Sequence, residues 1–226
     1  MAQRIDGNAI RTQRTRARVL AESLRLFNEH GEGHVTTGMI AESLGMSPGN
    51  LYYHFRNKDE IIGELYAAFE AEVAPLLGAP AGRAPGVEDL WFMLHLLFER
   101  MWAYRFFYRD LDEITSRNRK VALRFAALTR RGQATVIELC GGLVTAGTMR
   151  ASEREIAALA TNAVMIATYW LSFRRIGAGP VKGDAVDAAD GAQLGFAAYH
   201  VLALIAPYLR GADRALIERL GSDYLG

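Results

Sequence analysis

Between Thr36 and Phe55 the sequence marks out two very short helices with a turn at Gly45 between them. Thr36 and Thr37 offer hydroxyl caps for the free N–H groups of a first helix running through Leu44. Gly45 stands where a left-handed residue usually stops a helix. Ser47-Pro48 opens the second, with serine as the cap and proline in the first turn, where its missing N–H is not needed. Helices this short are marginal in isolation, so each must be held by a neighbour. Leu51 and Phe55, four apart, supply one anchoring side, and Val19, Leu20, Ser23, Leu24 and Phe27 line one face of a preceding helix that Gly31 ends. Three helices so arranged form a helix-turn-helix, whose last member must enter the major groove.

The rest of the chain also reads as helical. No segment sustains apolar–polar alternation, and no series of β-branched runs is bounded by turns. The run 56–60 restarts a longer helix carrying Ile61, Ile62, Leu65, Tyr66 and Phe69, and 78–86 is a linker by its glycine, alanine and proline content. Further helices are expected over 87–103, 117–143, 152–175, 189–209 and 213–220, with a loop at 177–190. The 226 residues suffice for a small domain and a larger one.

A net charge of +1 is uninformative for the whole chain, but its distribution is not. Arg4, Arg11, Arg14, Arg16 and Arg18 face only Asp6 among the first 21 residues, a cationic arm suited to phosphate. Cys140 is the one cysteine, so neither an internal disulfide nor a cysteine-ligated zinc site can form, and its apolar neighbours suggest a packing role. The polar, arginine-rich start lacks the apolar core of a signal peptide. A cytoplasmic location is expected. The stretches 156–173 and 191–209 carry no charge, which approaches membrane-spanning length. They are rich in alanine and interrupted by Thr161, Asn162, Gln193 and His200, as expected of helices packed on both sides, so no membrane partner is expected.

The stretch TTGMIAESLGMSPGNLYYHFRNK over 36–58 resembles the DNA-binding signature of the TetR family of transcriptional regulators. The resemblance covers about the first 65 residues. It implies an all-α protein: a helix-turn-helix domain at 1–57 and a larger helical ligand-binding and dimerisation domain at 58–226, with 58–77 as the connecting helix. It further implies that Thr37, Tyr52, Tyr53, His54 and Lys58 contact phosphates, and that Pro48, Gly49 and Asn50 of the helix tip, which Ser47 opens, face bases. Gly38 stands where some members carry a base-reading cation, and no Lys or Arg occurs from Ser47 to His54. Readout then rests on Asn50, on backbone approach at Gly49 and on DNA shape.

In the body, Trp91, Phe92, His95, Phe98 and Trp102 recur at helical spacing, and Phe106, Phe107, Tyr108, Tyr169, Trp170 and Phe173 add to them. This set is either a packed aromatic core or the wall of an apolar effector pocket. For a pocket, the candidates are Trp91, His95, Phe98, Trp102, Asn162, Tyr169 and Trp170. Asp110, Asp112 and Glu113 read either as a solvated helix start or as a cation-recognising group. His30 and His34 flank Gly31 and are not a metal pair on one helix face; no metal or cofactor is expected. Phosphate-loop, dinucleotide, nucleophile-elbow and zinc-protease motifs are all missing, which leaves no enzyme class with a positive signal. The expected partners are a double-stranded DNA operator, a small-molecule effector and a second copy of the chain, joined through helices at about 152–175 and 189–209. Such a protein is a ligand-released repressor; an architectural DNA binder and a membrane-anchored regulator are the competing readings.

Overall fold

The computed structural model describes residues 2–80, 82–178 and 191–222. They form helices joined by turns, with no strand among the described residues beyond a single antiparallel bridge between Met149 and Leu209. The long first helix, α1 (Ala2–His30), stops at Gly31, whose φ of 88° suits glycine. A short 3-10 turn (Glu32–His34) leads to α2 (Thr37–Ser43) and α3 (Pro48–His54), and α4 (Lys58–Val73) follows. Val19, Phe27, Ile40, Ala41, Leu51, Phe55, Ile61 and Ile62 are fully buried where these four helices meet. The apolar spacing read from the sequence is therefore the spacing that packs.

Beyond the linker come α5 (Val87–Ala103), the short α6 (Arg105–Arg109) and α7 (Leu111–Arg117), and the long α8 (Arg119–Thr145). α9 (Glu153–Ala178), α10 (Gly191–Ile205) and α11 (Gly211–Ser222) complete the body. α9 lies between α8 and α10, and α10 also packs on α5 and α11. Asn57 caps α4 by accepting from the Glu60 N–H at 2.8 Å, and Asn118 caps α8 by accepting from Val121 at 3.2 Å. The loop expected at 177–190 is still helical through Ala178; its remainder lies outside the described residues, as do 189–190 of the last expected bundle helix.

Two groups of residues show how the body packs. Phe106, Phe107 and Tyr108 are core, interlocked with Tyr66, Phe69 and Tyr104 at centroid separations of 4.1–6.5 Å. Ala163, Ala197 and Ala198, from the two alanine-rich stretches, are buried within the chain, where they let α9, α10 and α5 approach closely.

Candidate nucleic-acid interface

α3 owes its orientation to its buried side. Leu51 and Phe55 are both fully buried, which turns the opposite side of the helix outward. Ser47 accepts from the Asn50 N–H at 3.2 Å, so the first turn of α3 is tied to its cap. Ser47, Pro48, Gly49 and Asn50 are all exposed at this tip. A methyl group at Gly49 would meet nothing within 4 Å, so the backbone there is open to close approach. Gly45 supplies the turn before it with φ of 64°. The helix thus presents a small, polar, uncharged tip to solvent.

Around the tip, Tyr53 is 77% exposed and Tyr52 50% exposed. The Tyr52 hydroxyl lies 3.0 Å from the Thr37 hydroxyl, which joins the start of α2 to the middle of α3. Thr37 and Tyr52 therefore form one hydroxyl-bearing edge beside the tip, and Tyr53 projects to solvent from the next position of α3. His54 is only half-buried, with its Nδ1 enclosed and unpartnered and its ring edge-on to Tyr53 at 5.2 Å.

Lys58 is placed differently from the expectation that it meets phosphate. Its ammonium donates to the carbonyls of Glu32 and Val35, both at 3.0 Å, and pairs with the Glu32 carboxylate at 2.8 Å. Three protein oxygens occupy its three donors. Arg16 also leaves the cationic arm: it bonds the His54 carbonyl, pairs with Glu64, and lies over the Phe55 ring at 4.1 Å. Arg11, Arg14 and Arg18 stay exposed.

Sequence reading did not single out Glu32, whose side chain is fully buried between Lys58 and Arg117. Arg117, at the end of α7, reaches Glu32 and Asp59, each at 2.8 Å. Nearby, the Glu32 N–H donates to Asp110 at 2.8 Å, and Arg109 donates to the carbonyls of Phe27 and Asn28 in the last turn of α1. Asn28 in turn donates to the Ala103 carbonyl at 2.8 Å and accepts from the Phe106 N–H. These contacts bolt the helix-turn-helix to α6 and α7. They span 58 to 85 residues of sequence, so no local pattern announces them. Asp110 thus takes part in a domain contact.

In the body a cavity of about 60 Å³ lies among α4, α5, α6, α8 and α9. Val73, Leu97, Met101, Leu128 and Val164 make it apolar, and Tyr108, Thr129 and Thr168 are the hydroxyl-bearing residues among its lining. None of Trp91, His95, Phe98, Trp102, Asn162, Tyr169 and Trp170 lines it. Phe98 is core; Trp91 stacks on His95 at 5.5 Å near the surface; Trp102 lies under the Arg105 guanidinium; Tyr169 is exposed; Trp170 lies against Phe173 and His200. Helical spacing placed these aromatics on common faces, but the faces do not converge on the cavity.

A family model described as a bacterial transcriptional repressor matches residues 68–217, and one for bacterial regulatory proteins of the tetR family matches 19–65. The chain belongs to the TetR family. A TetR-family transcriptional regulator from Marinobacter aquaeolei VT8 is 34% identical, with a TM-score of 0.81 over 93% of this chain and 98% of that one. The HTH-type transcriptional regulator AcrR of Shigella flexneri is 31% identical over 74 residues, and TcmR of Streptomyces glaucescens 36% identical over 74 residues. These two matches span only about a third of each relative, 34% and 33% of its length. This TetR-family protein is accordingly a DNA-binding transcriptional regulator of the repressor type and not an enzyme. The all-α class is the one expected.

Proposed function

We propose that two copies of this chain bind a near-palindromic operator through α3 of each, and that a small, mainly apolar effector in the body cavity releases the DNA. Residues 1–57 form the DNA-binding domain in this reading and 58–226 the sensing and dimerising one, in the cytoplasm. The observation that carries it is the exposed tip Ser47–Asn50 of a helix anchored by Leu51 and Phe55, flanked by the hydroxyls of Thr37, Tyr52 and Tyr53. A tip of small polar groups can enter a groove about 12 Å wide, and Asn50 can both donate to and accept from base edges. His54 adds little, because its ring is turned partly inward.

The dimer reading rests on α9. Its outward stripe of Ala158, Thr161, Met165, Tyr169, Phe173 and Ile176 is exposed, with Phe173 at 66% and Ile176 at 82%. By length and composition alone, Glu153–Arg174 could cross a membrane. A long apolar stripe, beside a neighbouring α10 on which Ala203 is also exposed, is equally what a four-helix subunit interface leaves uncovered in one copy. Two recognition helices held about 34–36 Å apart then meet successive major grooves. An effector that fits better when the body is rearranged shifts this spacing, by no more than its differential affinity for the two states.

Selection of bound fragments from genomic DNA with the purified protein tests the reading. A recovered inverted repeat whose affinity falls sharply on base substitution supports it. Recovery without sequence preference overturns it in favour of an architectural binder.

A further inference from the structure

We propose that the effector is an uncharged, largely apolar molecule carrying a hydrogen-bond acceptor oxygen, and that the Tyr108 hydroxyl reads that oxygen. This rests on the reading of the body cavity as the effector site.

The lining decides the class. Among the described residues no Asp, Glu, Lys, Arg or His lines the cavity, so a carboxylate or an ammonium placed there has no opposite charge to meet. An unpaired ion in apolar surroundings is strongly disfavoured, whereas a ketone, ester or alcohol loses only ordinary hydration, which a hydroxyl can restore. Tyr108 is that hydroxyl. It is buried, lines the cavity, and its hydroxyl has no hydrogen-bond partner among the described residues. Burial holds its phenol protonated far above the usual range, which keeps it a donor at any working pH. The Thr129 hydroxyl is already committed, donating to the Ala126 carbonyl at 3.0 Å. Behind the Phe125 wall the Tyr66 hydroxyl is buried without a partner as well.

Tyr108 is also well placed to report occupancy. Its carbonyl accepts from Ser172 of α9 at 3.1 Å, and the next residue, Arg109, holds the C-terminal carbonyls of α1. A cavity of about 60 Å³ admits only a small fragment as folded, against roughly 300–1,000 Å³ for drug-sized pockets. A larger effector must part the walls, and α6 is one of them.

Four probes of nearly equal size separate the chemistries: 4-phenyl-2-butanone, butylbenzene, 3-phenylpropionate and 3-phenylpropylammonium, titrated calorimetrically into the full-length protein at pH 7. The ketone should bind roughly tenfold more tightly than butylbenzene, the worth of one hydrogen bond, and each ion at least tenfold more weakly than the ketone. Tyr108→Phe should bring the ketone down to butylbenzene and leave butylbenzene unchanged. The ranking on the unaltered protein stands even if that variant does not fold. Either ion matching the ketone, the ketone no better than butylbenzene, or no binding by any probe up to its solubility overturns the class. Operator affinity in the same samples separates this from the underlying reading. Release driven by an ion defeats the class and leaves effector control standing, while ketone binding without release does the reverse.

Discussion

The fully buried carboxylate of Glu32 lies 2.8 Å from the Lys58 ammonium, joining the turn after α1 to the first residue of α4. Arg117 meets the same oxygen from α7 at 2.8 Å. One carboxylate thus links the helix-turn-helix, the connecting helix and the body. Removing a partner from a buried pair is strongly destabilising, because the remaining charge keeps its desolvation without its counter-charge. Glu32→Gln should cost about 3 kcal/mol in denaturant unfolding, the low end for such pairs, since both cations keep some access to water. A loss near zero would show that the hub contributes nothing.

Lys58→Ala distinguishes this structural role from a phosphate contact. Thermal stability should fall while the slope of log affinity against log salt stays nearly unchanged. A decrease of about 0.9 in that slope would instead put the ammonium on phosphate in the complex.

Asn50→Ala should weaken the specific operator by about 1–3 kcal/mol per half-site and leave non-specific binding and the salt slope intact. Competition with random-sequence DNA measures the difference. Equal losses on both would mean that Asn50 faces the backbone and not the bases.

On α9, Met165→Glu places a charge in the exposed stripe, and the protein should become monomeric by light scattering while remaining folded. Ala163→Glu reads out something else. Ala163 is buried inside the subunit, so its substitution should unfold the chain rather than separate two folded copies. A folded monomer from Ala163→Glu, or a stable dimer from Met165→Glu, would contradict this assignment of faces.

Cys140 is buried and its thiol is pushed up to about 11 by burial. The thiolate is the reactive form, so the native protein should resist a disulfide reagent at pH 8 and react fully once unfolded. The raised value also sets a pH dependence. Its stability contribution is intact below the unfolded thiol's ordinary range and is lost as pH rises from there through about 11. Rapid labelling of the native protein at pH 8 would be inconsistent with this burial.

Local chemistry alone determined the helix-turn-helix. Thr36, Gly45, Ser47 and Pro48 act on neighbouring backbone within a turn, and Leu51 and Phe55 need only helical periodicity to share a side, so both caps and anchor were legible as letters. The exposure of Ser47, Pro48, Gly49 and Asn50 follows from that same anchor. What the tertiary structure decided is everything that depends on partners far along the chain. Lys58 and Arg16 look like free cations in the sequence and become internal ties, because Glu32 and Glu64 arrive from other elements. The aromatics of α5 and α9 share helix faces, yet the cavity forms where Val73, Tyr108, Leu128 and Thr168 converge from four helices. Periodicity tells which side chains share a face of one helix. Which faces meet depends on how helices cross, and that is set by packing between residues remote in sequence.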